Sequence, residues 1–222
     1  MRQVVGAVLF GVLGTLVLIG LGLWQLDRMD EKRAYLDLVQ ARIGTAPIAL
    51  PASPSQSDHN YQAVLVEGRL TGEFLEVLSG QRGDTPGVRI IEVLELAGGR
   101  RVLMDRGFLV EEARKTPRPA KAVKVSGNLI WPQDADSFTP PPDAKTGLWF
   151  ARDLPAMAAK LQTEATLIVA REQTGDGIEP VPVDASGIPN NHWGYAIQWF
   201  LMAIAWGVMT LYLLWRIWRR TA

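Results

Sequence analysis

The chain has 222 residues, with 23 basic and 23 acidic side chains in balance, apolar residues at 48% and no cysteine. The missing cysteines rule out a disulfide framework and a thiolate metal site. Balanced charge, with no basic run in the middle of the chain, removes the electrostatic footprint of a nucleic-acid binder.

The apolar residues gather at the two ends. From Val4 to Leu23 no side chain is ionisable, and at about 1.5 Å of rise per residue such a helix crosses a hydrocarbon core roughly 30 Å thick. A cleaved signal peptide is the alternative, because Arg2 precedes the run. The run is longer than a usual signal core, and Trp24-Gln25-Leu26-Asp27-Arg28 after it lacks the small-residue spacing of a cleavage site. The helix is therefore expected to stay attached. A second run, Ala196 to Trp215, has Gln198 as its one strongly polar side chain, and a helix is the form in which such a segment crosses lipid.

Orientation follows from basic residues near the spans. Arg216, Arg219 and Arg220 follow the second helix, whereas Glu172 to Tyr195 before it has neither Lys nor Arg. Arg2 agrees with a cytoplasmic N-terminus, and Arg28, Lys32 and Arg33 argue weakly against it. The expected organisation is a cytoplasmic N-terminus (1–3), a first transmembrane helix (4–24), a periplasmic β-rich domain (25–195), a second transmembrane helix (196–215) and a cytoplasmic tail (216–222). The chain would then be a multi-pass membrane protein with both termini cytoplasmic.

After the first span, Asp27 to Ile43 continues the helix outward, with Arg28, Lys32 and Tyr35 on one face. Pro47 to Ser57 reads as a linker. Tyr61 to Arg69 and Glu73 to Ser79 read as strands divided by a turn at Thr71-Gly72. Val88 to Leu96 and Arg101 to Val110 form a hairpin through Ala97-Gly98-Gly99-Arg100, because paired glycines accept positive φ. Val123 to Trp131 is a further strand, and the three prolines 140–142 impose an extended loop. Asp153 is an N-cap with Pro155 in the first turn of a helix to about Leu161, and Thr166 to Arg171 is a last strand. The fold class is membrane α+β, with two terminal helices flanking a β-rich, α+β or barrel-like domain.

The chain has two histidines. His59 sits in a polar loop and is expected to be solvated. His192 lies in Asn190-Asn191-His192-Trp193-Gly194-Tyr195, at the mouth of the second span, where a polar group is a functional candidate. His192, Tyr195, Trp199, Met202, Trp206 and Met209 recur at spacings of three and four. Such a stripe could line a flat apolar ligand, with His192 as axial ligand to haem iron. An aromatic belt at the membrane surface and packing against the first helix are the competing readings. Ala7, Gly11 and Thr15 on one span, with Ala203 and Gly207 on the other, favour close helix approach. Gln25 and Arg28 leave the first helix where His192 and Asn191 enter the second, so paired helices would bring these groups together; ordinary interfacial anchoring is the alternative. Asp105-Arg106-Gly107-Phe108 breaks an apolar strand, either as a bulge or as a strand end with a local ion pair. No acid–base pair, nucleophile arrangement or phosphate loop argues for an enzyme.

The motifs together resemble the Surfeit-locus family of cytochrome c oxidase assembly proteins. They are Gly22-Leu23-Trp24-Gln25-Leu26-Asp27-Arg28 with Lys32, Val66-Glu67-Gly68, Asp105-Arg106-Gly107-Phe108, Trp149-Phe150-Ala151-Arg152-Asp153, and Asn191 to Phe200. The family often reads Asn-Arg-Gly-Trp where this chain has Asp105 to Phe108. Mitochondrial members carry a transit peptide, whereas here the first membrane helix begins almost at Met1, as suits a bacterial member. The resemblance implies a haem a chaperone for the haem-copper oxidase, with His192 matching the family histidine proposed as ligand. Together with the residues read above, the candidate site comprises His192, Tyr195, Trp199, Trp24, Gln25 and Arg28. Its implied partners are the oxidase catalytic subunit, haem a synthase and the lipid bilayer. A scaffold that stabilises an oxidase intermediate without touching haem, and a membrane-anchored sensor or enzyme, are the competing functions.

Overall fold

The computed structural model describes residues 2–82, 85–185 and 189–221. Met1 and Ala222, which belong to the two expected cytoplasmic segments, lie outside them. The chain divides into two units, residues 1–38 with 185–222, and residues 39–184.

The first unit is a pair of long helices, α1 (Arg2–Gly44) and α4 (His192–Thr221). At 43 residues α1 extends about 65 Å, so the charged stretch after Leu26 continues the apolar helix without a break, as its composition predicts. Both helices are long and apolar enough to cross a membrane.

The pairing of these helices follows from small residues. Buried and half-buried positions recur as Gly11, Thr15, Leu18, Gly22, Gln25 and Met29 on α1, and as His192, Ala196, Trp199, Ala203, Trp206 and Thr210 on α4. Alternating steps of three and four are the repeat of a coiled-coil seam. Gly11 faces Thr210, Gly14 faces the Trp206 indole and Gly22 faces the Phe200 ring, each so closely that an added Cβ would lie under 3.0 Å from its neighbour. Partner numbers fall as α1 numbers rise, so the helices are antiparallel. Phe10 and Trp206 meet at a tilt of 54°, with ring centroids 5.0 Å apart. The Thr15 and Thr210 hydroxyls donate back to the Gly11 and Trp206 carbonyls at 2.9 and 2.8 Å, so neither is left unbonded in the seam.

The second unit holds β1 (Ile48–Ala49), α2 (Gln56–His59), β2 (Ala63–Arg82), β3 (Thr85–Leu96), β4 (Arg101–Val110), a 3-10 turn at Glu111–Ala113, β5 (Lys121–Ile130), α3 (Leu154–Leu161) and β6 (Leu167–Ala170). The last residues of α1 belong here, and Val39 and Ile43 are buried. β2 pairs antiparallel with both β3 and β5, β3 with β4, and β5 with β6, while β4 and β6 run parallel. The hydrogen-bonded order therefore runs β2-β3-β4-β6-β5 and returns to β2, with β1 added in parallel beside Val64 and Leu65. All five strands of this circuit contribute to one apolar cluster, which includes Val66, Leu94, Met104, Leu129 and Ile168. A second cluster packs α3, through Leu154, Met157 and Leu161, on Leu75, Val93 and Leu103.

The hairpin at Gly98-Gly99 forms as its residues predict, with φ of +84° and +82°. Asp153 caps α3 by accepting from the Ala156 N–H at 3.2 Å, with Pro in the first turn. Three expectations change. Gly72 does not divide two strands: it takes φ +84° inside one continuous β2, where the register shifts between Leu70 and Phe74, so the glycine bends a long strand that serves two partners. The expected linker 47–57 contains β1 and opens α2. His59 is half-buried in α2, and its Nδ1 accepts the Ser55 backbone N–H at 3.1 Å, so it closes a turn rather than standing in solvent.

Candidate functional site

His192 is the first residue of α4, and its Nδ1 lies 2.8 Å from the Gln25 Oε1 of α1. The two residues occupy the last polar layer of the seam, one helical turn beyond Gly22 on α1. Both are half-buried, so the contact is partly screened from solvent. A turn beyond Gln25, the Met29 carbonyl accepts from Asn190 Nδ2 at 3.5 Å.

The other candidate residues take different places. Trp199 is half-buried in the seam, whereas Tyr195, Met202 and Met209 are exposed. The expected stripe therefore divides: the seam takes Ala196, Ala203 and Thr210 between 192, 199 and 206, with the two alanines buried, and leaves 195, 202 and 209 on a neighbouring face. Arg28 does not reach His192. It pairs with Glu31 at 2.5 Å and lies over the Trp24 ring at 5.9 Å from its centroid. Trp24 and Tyr195 are about half exposed, at 50% and 52%. The mouth of the helix pair thus presents one imidazole held at a single nitrogen, beside aromatic surface open to a ligand or partner.

An imidazole with one nitrogen engaged keeps the other as a metal ligand. Among the described residues no group of three or more His, Asp or Glu side chains converges to hold a bare ion. A single imidazole suits an iron that arrives with four ligands already supplied by a macrocycle, and in that respect the donor set fits a haem.

The Asp105-Arg106-Gly107-Phe108 segment lies in the second unit. Ile90 pairs with Gly107 and Ile91 with Asp105, so Arg106 is the extra residue of a β-bulge. Gly107 takes φ +115° with the Glu179 carbonyl where a Cβ would be, and Phe108 exchanges backbone hydrogen bonds with Glu179 at 2.8 and 2.9 Å. Arg106 is fully buried and pairs with Glu92 at 2.6 Å and Asp176 at 2.5 Å, while its Nε donates to Thr174 Oγ1 at 2.7 Å. Lys121 also pairs with Asp176 at 2.6 Å. Burial pushes the Asp176 carboxyl up, but hydrogen bonds from Lys121 and Arg106 outweigh it and hold the group below the usual carboxylate range. Asp105, also fully buried, accepts from Arg89 at 2.5 Å and from the Gly107 N–H at 3.1 Å. Both sequence readings of the segment are thus partly realised: it is a bulge, and its charges pair, but with residues distant in sequence. These groups are mutually satisfied and pin the circuit of strands; Glu92 and Asp176 gave no separate signal in the sequence.

The chain matches the SURF1 family over residues 12–204. It is 30% identical over 209 residues to a SURF1-like protein of Monosiga brevicollis, covering 83% of this chain and 78% of that one. A SURF1-like protein of Rickettsia felis is 26% identical over 216 residues, covering 90% and 92%. Surfeit locus protein 1 of Rattus norvegicus is 24% identical over 209 residues, covering 84% and 68%. The matched stretch takes in most of α1, the start of α4, the His192–Gln25 contact and the Arg106 bulge, and the chain belongs to the SURF1 family.

Proposed function

We propose that this protein is an assembly factor for a haem-copper cytochrome c oxidase, and that it holds haem a at the mouth of its helix pair for insertion into the catalytic subunit. The observation that carries this reading is His192, held through Nδ1 by Gln25 at 2.8 Å, at the end of two apolar helices. Family membership supports the assembly role. On this reading the chain crosses a bacterial inner membrane twice. The outward-facing Leu9, Leu13, Ile204 and Leu211 meet lipid, the arginines 216–220 hold the C-terminus in the cytoplasm, and the five-strand circuit is a small barrel-like module in the periplasm. His192 supplies an axial ligand, while Trp24, Tyr195 and Trp199 offer apolar surface to the macrocycle. A site open on one side suits a carrier that must release its cargo, and it leaves room for the catalytic subunit and for haem a synthase as successive partners. The role is non-enzymatic.

The test is complementation. A strain lacking the gene and its paralogues loses haem-a oxidase activity, and the full-length chain restores it. His192→Ala fails to restore it at equal membrane abundance. If His192→Ala complements fully, the protein acts as a scaffold that does not carry haem; if the deletion leaves oxidase activity intact, the assembly role falls.

A further inference from the structure

We infer that Gln25 is a positioning residue that fixes His192 as the Nδ1–H tautomer and so leaves Nε2 as the nitrogen that ligates metal. In its consequence for haem, this rests on the proposed role of His192; the tautomer itself does not. The Gln25 carboxamide oxygen has no proton to give, so at 2.8 Å from Nδ1 the ring must be the donor. The two nitrogens of an imidazole point in divergent directions, so engaging Nδ1 on the α1 side turns the Nε2 lone pair away from Gln25. Both side chains stand on helical backbone in a seam fixed by the Gly22–Phe200 approach, so the hydrogen bond does not depend on a loop.

The chain carries its own contrast. At His59 the Nδ1 accepts a backbone N–H from Ser55 at 3.1 Å, so the neutral ring must carry its proton on Nε2. The two imidazoles are therefore configured oppositely by their neighbours. Protein imidazoles that ligate metal through one nitrogen almost always donate the other N–H to a fixed acceptor, which orients the ring and raises its basicity. Gln25 supplies that acceptor before any ligand arrives.

Long-range proton–nitrogen correlation spectra of the full chain, ¹⁵N-labelled and haem-free in detergent, read both tautomers at a pH where the rings are neutral. The expected spectrum shows a proton-free Nε2 for His192 and a proton-free Nδ1 for His59, with His59→Gln assigning the two. In Gln25→Leu the His192 proton moves toward Nε2, and titration with haem a shows affinity weaker by roughly 10- to 100-fold. Gln25→Glu keeps an acceptor, so it retains the tautomer and the affinity and lowers the reduction potential of bound haem, because a carboxylate makes the imidazole a stronger donor. An Nε2–H His192 in the unmodified chain overturns the inference, as does a Gln25→Leu chain whose tautomer is unchanged. If Gln25→Leu fails to fold, the unmodified chain and Gln25→Glu still decide. An Nδ1–H His192 that takes up no haem a upholds the tautomer and removes the haem reading alone.

Discussion

Replacing Arg106 by Met leaves the buried Glu92 carboxylate facing an apolar side chain. Glu92 keeps the Gly72 N–H at 3.0 Å but loses its cation, and its side chain is 1% exposed, so water cannot replace the partner. Asp176 is less affected, since it retains Lys121 and is partly accessible. Removing one member of a buried pair costs about 3–5 kcal/mol, because the surviving charge is uncompensated. That is a large share of the roughly 5–15 kcal/mol by which a typical domain is stable. Native-state hydrogen exchange on the full chain in detergent, read at the β3 and β4 amides, reports the change locally. At about 1.4 kcal/mol per tenfold, exchange should quicken by roughly two to three and a half powers of ten. Glu92→Gln added to Arg106→Met removes the stranded charge while keeping an oxygen for Gly72, and it should recover about 2 kcal/mol or more. A shift below about 1 kcal/mol in the single variant, or further loss in the double one, would refute the view that this pair pins the strands.

Other expectations follow from the same contacts. Gly22→Leu drives a side chain into the Phe200 ring and should separate α1 from α4, read as loss of a disulfide crosslink engineered between their facing positions; an unchanged crosslinking yield would contradict the close seam. Gly107→Ala combines φ +115° with a Cβ against the Glu179 carbonyl, for a cost of about 1–3 kcal/mol or more in thermal or denaturant unfolding. The folded Asp176 carboxyl lies below its unfolded value near 3.9, so its contribution is present above about pH 4 and is lost as pH falls through the folded value. Asp176→Asn should therefore flatten the acid limb of the stability profile. Asp153→Ala removes the α3 N-cap and should cost about 1 kcal/mol.

What the sequence revealed was whatever short-range chemistry decides. The Gly98-Gly99 turn, the Asp153 cap and the two apolar runs each depend on neighbours within one turn or one span, and each forms where its residues predict. β1 and α2 were missed because Ile48-Ala49 is ordered only by pairing with Val64 and Leu65, and α2 is a single turn closed by Ser55 and His59. Glu92 and Asp176 were unreadable as partners of Arg106 because 14 and 70 positions separate them from it in the chain, and the bulge brings them together. At the candidate site, the placement of Gln25 near His192 follows from pairing α1 with α4. The loss of Tyr195 and Met202 from the seam could not be read from spacing, because 195, 202 and 209 and 196, 203 and 210 both alternate with 192, 199 and 206 at steps of three and four; the small Ala196 and Ala203 take the buried places.

On the proposed function, His192 carries haem a at the mouth of the helix pair. The most direct measurement is the absorption spectrum of the full chain purified from cells that make haem a. A Soret band with the unmodified chain that is absent in His192→Ala is the predicted result. A colourless chain, or a band that survives in His192→Ala, would contradict it.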